Sequence, residues 1–456
     1  MVTSSGGTVS NGVTEIVSSG VVWSGITVNY GGVVEVASGG VALATVVSDG
    51  GGVEVMSGGA ASDATLDSGA YAYVWSGGIA SGTVAKSGAE IDGLILASGT
   101  VSAGSAQTVI DGVTLDNGAI VGLAVTSGAT ISGLAVVESG VLTLSSGGVA
   151  SGATVSGSMV YDATVMSMVP VYGTVDVASG GVADGTILNS LGVQDVENGG
   201  AAYGTTVGSG GEEDVDSGGM ASGTIVDSSG YFFISSGGIV AGGQVNNGGV
   251  INGLILSSGT VSAGIAYTVE GVTIEPGATV GLTVVSGADV SGFVTLGGSL
   301  ILSAGGIGVG TTVDYGDVND VESGGLASGT MVYGWQDVLS GGVASGTTVA
   351  FGGEVDVEAG GLVSGGVVSS GGAISGLVLS SGTVSAGGGS AVIDGMTINA
   401  AASVGLTVLA GATISNFTVN GSSVLELFWR GGRQHRRQWR RRDGRERRLC
   451  QRRHNR

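Results

Sequence analysis

Residues 33–42 read VVEVASGGVA and residues 52–61 read GVEVMSGGAA, the same phrase restated nineteen positions later. Taking the Ser before Gly as a phase marker, the interval recurs at Ser19, Ser38, Ser57 and Ser76, and again at Ser179, Asn198, Ser217 and Ser236. Ser146 stands alone, and a third block runs Ser323, Ser340, Ala359. Two positions before the marker lie Val36, Val55, Val74, Val177, Val196, Val215, Ile234, Val321, Val338 and Val357, a uniformly β-branched column. One position further back stand Glu35, Glu54, Asp176, Asp195, Asp214, Asp320, Asp337 and Asp356, with Tyr73 and Phe233 as exceptions. Adjacent positions of opposite character predict a strand with one face buried and one wet.

After the marker come a glycine turn, a small connector such as VASG (343–346), and a second short strand ending at Val28, Val47, Val155, Val207, Val226, Val245, Val332, Val349 or Val368. One such unit has too little apolar area to fold alone, so like units must stack and share a core. The pattern therefore predicts an all-β chain, a right-handed parallel β-solenoid of about nineteen-residue strand-loop-strand coils. Roughly 22 coils at about 4.8 Å each give a rod on the order of 100 Å long. A longer repeat overlies the short one: SGTVSAG at 98–104, 258–264 and 381–387, each between an apolar strand (GLILA, GLILS, GLVLS) and a GVT or GMT turn.

The composition agrees. Among 456 residues there are 95 Gly and 2 Pro, and 42% are hydrophobic, which excludes a disordered chain; Gly does not recur every third residue, which excludes collagen. No run approaches the roughly 20 apolar residues of a membrane helix. Met1 is followed by VTSSGGTVS, so this reading expects a soluble chain with no export address of its own. Lys86 is the only basic residue before Arg430, and 34 of the 36 acidic residues lie in that stretch: 1 − 34 = −33 for residues 1–429, against 13 − 2 = +11 for 430–456. A surface of that sign excludes nucleic-acid binding by the body.

The pattern GG-x-[DE]-V-x-SGG-x-ASGT-x-V resembles the strand-loop-strand repeats in the passenger region of AIDA-type bacterial autotransporter adhesins, over residues 1–427. The resemblance implies a β-helical adhesive stalk at the bacterial cell surface or outer membrane, or secreted, whose serines a glycosyltransferase modifies with heptose. It implies a partner on a host or neighbouring cell, and self-association. Family members also carry a leader and an outer-membrane barrel, so this chain reads as an internal piece or damaged copy. The serines expected to carry sugar are Ser38, Ser57, Ser217 and Ser340 at turns, and Ser62, Ser81, Ser222, Ser328 and Ser345 in connectors, because turns face solvent.

Chemistry is scarce. Polysaccharide-cleaving enzymes also use parallel β-helices, but carboxylate pairs for hydrolysis need a set spacing and elimination needs a base, of which the body offers only Lys86. The adjacent Glu212, Glu213 and Asp214 fall where the repeat puts its wet acidic position. The body has no His to activate a serine and no Cys. Calcium β-rolls use GGxGxDxxx, and the nearest stretch, GGIGVG at 305–310, has Gly310 where Asp belongs. The reading therefore names no catalytic residue, dedicated metal site or cofactor, leaving weak calcium binding to the acidic face as an alternative. Trp23, Trp75, Tyr203, Tyr231, Phe232 and Trp335 read as corner fillers or as a carbohydrate-binding strip.

Residues 428–456 (FWRGGRQHRRQWRRRDGRERRLCQRRHNR) break the phrase and hold every Arg, His and Cys. Arg433 to Arg436, coded CGG CAG CAC CGG, read Gly-Ser-Thr one base off, and 436–444 can be coded to read GGSGGGGTV. This tail is expected to be an out-of-frame, disordered product, the original frame running on through more repeats toward a barrel; the other reading is a basic binding arm.

Overall fold

The computed structural model describes residues 2–162, 164–262, 266–385, 390–393, 395–415, 423–428 and 434–438. It comprises two compact units, Met1–Val250 and Ile251–Arg456. All regular structure in the described residues is β.

One coil of the first unit explains the rest. Val33–Val36 forms a first strand with inward Val34 and Val36; a turn at 37–40 leads to the second strand, Val41–Leu43, and after Ala44 and the buried Thr45 comes the third, Val46–Val47. A second glycine turn at 48–51 returns the chain to its starting column. Every strand pairs parallel with its equivalent nineteen residues on: Val33↔Gly52 through Val36↔Val55, Val41↔Ala60, and Val46↔Thr65. The connector that the sequence suggested is thus a strand itself, so each coil has three strands and not two.

The inward columns are Val36, Val55, Val177, Val196 and Val215 from the first strand, each at most 1% exposed, and Val28, Val47, Val155, Val207, Val226 and Val245 from the third, each fully buried. Between them the second strand contributes Ala42, Ala61, Ala150, Ala183, Ala202 and Ala221. Alanine fits there because the three walls converge on a narrow interior. Each buried Val contributes on the order of 1.5–3 kcal/mol. The second unit repeats the arrangement with Val321, Val338 and Val357, then Val332, Val349 and Val368, around Ala327 and Ala344.

The SGG turn has a packing cause. Gly39 sits at φ +76°, and a Cβ there would lie 2.7 Å from Ser19 Oγ of the coil before; a Cβ on Gly40 would lie 2.0 Å from the Val17 carbonyl oxygen. The first glycine is required by conformation and by the stacked serine, the second by the neighbouring backbone.

Four irregularities interrupt the period. In the first unit Val141 pairs with Thr174, a step of 174 − 141 = 33, because an antiparallel hairpin, Ser158–Asp162 against Ser167–Val171, is inserted. That explains why Ser146 stands outside the series. The first SGTVSAG coil is also long: Glu90 pairs with Ile120, and Gln107–Ile110 folds antiparallel onto Val113–Asp116, which occupies the third-strand place beside Val84 and Ala85. Asp111 and Gly112 turn this hairpin with φ of 49° and 80°, the geometry of a two-residue primed turn. In the second unit Tyr267–Val269 with Val272–Ile274, and Ser390–Ile393 with Met396–Asn399, form the same hairpin. The third and fourth, also in that unit, are shortened coils: Gly281 pairs with Ser299, eighteen residues on, and Val318 pairs with Trp335, seventeen residues on.

Of residues 428–456, the backbone of Gln434–Gln438 is a strand antiparallel to Val424–Phe428. The remainder of the expected disordered tail, beyond Phe428, lies outside the described residues.

Deleting residues 38–56, one coil in phase, removes a whole repeat and leaves every column matched. The variant is expected to keep the β-type circular dichroism spectrum and cooperative melting of the parent. Deleting only 38–47 places the wrong residues inward, and loss of the cooperative transition is expected.

Candidate functional site

Stacking in register turns each sequence column into a ladder. Asp176, Asp195 and Asp214 are direct neighbours across successive first strands, as are Glu35 with Glu54, and Asp320 with Asp337 and Asp356. The exceptions fit the same column, Tyr73 lying between Glu54 and Asp92 and Phe233 following Asp214. The column is less wet than its sequence suggests: Asp176, Asp195, Asp214, Asp320 and Asp337 are only partly exposed, because each covers the next.

Like charges held a strand spacing apart disfavour ionisation. Burial, then Glu212 and Asp195, push Asp214 up to about 7. Asp195 is raised by burial and then by Asp176, Asp216, Glu212 and Glu197, and Asp176 by burial and Glu197. In the second unit burial and Asp337 raise Asp320, while burial and Asp356 raise Asp337. The only ion pair among the described residues, Lys86 Nζ to Asp67 Oδ1 at 2.6 Å, lies elsewhere.

Glu212, Glu213 and Asp214 require a correction. Glu212 and Asp214 face outward, but Glu213 occupies the inward column of Val34 and Val53 and is 0% exposed. Counting two back from the inward Val215 gives this placement, a parity signal present in the sequence and overlooked. Gln194 precedes it in the same buried column.

The serines expected to carry sugar divide into two groups. Ser38, Ser57, Ser217 and Ser340 are exposed at turns, with Oγ over the first turn glycine of the next coil, 2.6–2.9 Å from where a Cβ would stand on Gly58, Gly77, Gly237 and Gly360. Ser62, Ser81, Ser222, Ser328 and Ser345 are half-buried within second strands or at their ends. Ser62 Oγ and Ser81 Oγ lie 3.2 Å apart, and Ser222 Oγ donates to the Ala241 carbonyl at 2.9 Å. The connector serines therefore do not share the solvent-facing turn position expected of them.

Of the six aromatics singled out in the sequence, only Phe232 is core, at 1% exposed. Trp75, Tyr203, Tyr231 and Trp335 are exposed, and Trp23 lies over Gly7 while its Nε1 donates to the Gly6 carbonyl at 2.7 Å. Filling the core thus describes Phe232, while Trp23 covers a backbone glycine and the other four face solvent. Ile307–Val309 of the GGIGVG stretch is an ordinary second strand, paired with Leu326–Ser328. No group of three or more His, Cys, Asp or Glu suited to a metal ion occurs among the described residues.

A stack of short parallel coils with acid and serine ladders outside defines a structural solenoid. The family model described as the adhesin of the bacterial autotransporter system, probable stalk, matches residues 37–89. Residues 37–89 are thus similar to that stalk family, and the coils before and after them are paired with them in register. No curated protein matches it. A solved structure similar to it is the crystal structure of a TibC-catalysed, hyper-glycosylated TibA fragment, with 23% identity over 93% of this chain and 99% of that chain, at a TM-score of 0.24. At that score no structural detail transfers.

Because the folded-state acids titrate above their unfolded values, their stabilising contribution is complete below about pH 4 and is lost as pH rises toward 7, where Asp214 ionises. Thermal melts from pH 4 to 8 are expected to show falling stability, partly restored by salt. Asp195→Asn is expected to raise stability at pH 8 by about 0.5 kcal/mol and to change little at pH 4.

Proposed function

We propose that residues 1–427 are the adhesive stalk of a bacterial autotransporter, held at the cell surface, non-enzymatic, and bound through its outer columns to a host or neighbouring cell or to a second stalk. The observation that carries this reading is the continuity of the coil: the stretch matched by the stalk family, 37–89, is one section of a ladder whose register runs on into its neighbours. A scaffold of this kind presents the same side chains at regular intervals, which suits multivalent attachment. Glu212 and Asp214 belong to the charge ladder and Glu213 to the core, so they do not form an open carboxylate pair for hydrolysis.

The exposed serine column supports a second element of the reading, O-glycosylation at Ser38, Ser57, Ser217 and Ser340, with Ser62, Ser81, Ser222, Ser328 and Ser345 as poorer acceptors because they are half-buried. Residues 428–456 are proposed to be an out-of-frame extension, supported by the confinement of Arg, His and Cys to them. The gene's neighbouring frames after Leu427 test this, and absence of SGG or GTV phrases there would return the basic-arm reading.

Displaying residues 1–427 on a non-adhesive strain, through a supplied leader and barrel, is expected to increase binding to cultured cells or clumping of the bacteria severalfold over the barrel alone. Binding no better than the barrel, with display verified by protease shaving, would overturn the adhesive assignment. Coexpression with a heptosyltransferase, read by intact mass and peptide mapping, is expected to place sugar on the turn serines before the connector serines.

A further inference from the structure

Glu213 is the one fully buried carboxylate among the described residues of the first unit. Gln194, its neighbour in the coil before, donates from Nε2 to Glu213 Oε1 at 3.0 Å and to Thr205 Oγ1 at 3.0 Å. Thr186, Thr205 and Thr224 stack in successive coils just before the third strands and are buried with it. Glu213 Oε2, Gln194 Oε1, Thr186 Oγ1 and Thr224 Oγ1 are all buried without a hydrogen-bond partner.

No cation neutralises the carboxylate. On its own strand the titratable groups are Glu212 and Asp214, on the preceding strand Asp195, on the following strand Tyr231, and on the flanking turns Glu197 and Asp216. On the second and third strands packed across the core from these coils they are Asp184 and Tyr203, with Asp227 at the next turn. All lie outside the core, and none is basic.

The second unit holds a titration-free version of the same rung. Asn319 and Gln336 occupy the equivalent inward column and are 0% exposed. Gln336 Nε2 donates to Asn319 Oδ1 at 2.8 Å, Asn319 Nδ2 to the Leu300 carbonyl at 3.0 Å, and Thr347 Oγ1 to Gln336 Oε1 at 3.3 Å. Here the amides close the network that the carboxylate leaves open.

We propose that the Gln194–Glu213 rung is a proton-operated latch in the first unit. With the carboxyl protonated the rung carries no charge, Gln194 Nε2 keeps its bond to Oε1, and the coils stay closed. When that proton passes to water, a buried charge remains with only neutral donors and no counter-ion, and the coils at 192–226 open, because a buried charge without an ionic partner is strongly unfavourable. Burial pushes the Glu213 acid up to about 7, with the Thr224, Thr205 and Gln194 groups beside it pulling the other way. The latch thus holds below the unfolded value near 4.5 and releases as pH rises through about 7. Unlike the outer acid ladder, a buried group is little screened by salt.

Amide hydrogen exchange on the full chain, corrected for intrinsic rates, tests this at pH 5 and 8.5 in high salt. Protection of 192–226 is expected to fall by roughly tenfold or more relative to 317–349. The difference should vanish in Glu213→Gln and persist in Asp214→Asn. If Glu213→Gln does not fold, Glu213→Val, the residue usual in this column, replaces it. Equal protection at both pH values in the wild type would overturn the proposal, and so would a pH-dependent loss that survives removal of the Glu213 carboxyl.

Discussion

Everything in this protein depends on one interaction, the hydrogen bond from the backbone of one coil to the same position in the next. The turns take part as fully as the strands: Gly20 N–H bonds the Gly39 carbonyl, Gly39 that of Gly58, and Gly58 that of Gly77, at 2.8–2.9 Å. A parallel series runs from Gly12 through Gly31, Gly50 and Gly69 to Gly88. Where the corners themselves are bonded in line, a coil of different length must expel its surplus sideways, as the hairpins at Gln107–Asp116 and Ser158–Val171 do. The backbone ladder therefore sets the period, and the period then decides which side chains can be used.

That same symmetry has a cost. Placing like over like is favourable for Val over Val, but it also places Asp195 between Asp176 and Asp214 with no base nearby. The acids cannot alternate with lysine as they would on a twisted antiparallel surface, since the body has only Lys86. Their raised affinity for protons follows from this arrangement and has no need of a catalytic explanation.

Much of the fold was legible because position two before the serine and the last residue of the third strand are inward in nearly every coil, from Val28 and Val36 to Val357 and Val368. The second strand was missed since its inward residue is alanine, which carries little period-two contrast in ASG. The hairpins had a readable signal in Asp111-Gly112 and Glu270-Gly271, both with paired positive φ, but the surrounding repeat made them look like ordinary turns. Glu213 was misplaced through composition: three acids in a row read as a wet patch, although alternation from Val215 sends the middle one inside. The separation of serines into exposed and half-buried groups could not be read at all, because both sit before glycine and differ only in whether the strand has ended.

The coil-to-coil bonds of the ladder also determine how such a chain meets a mechanical load. They join one strand to the next and not distant parts of the molecule, so tension applied at an end coil reaches the bonds of that coil first. Each coil that peels away frees about nineteen residues, roughly 65 Å of extended chain, and exposes an identical edge behind it. A stack of this kind lengthens stepwise under force, dissipating work at each step, while the released backbone finds the same template waiting when the load is removed.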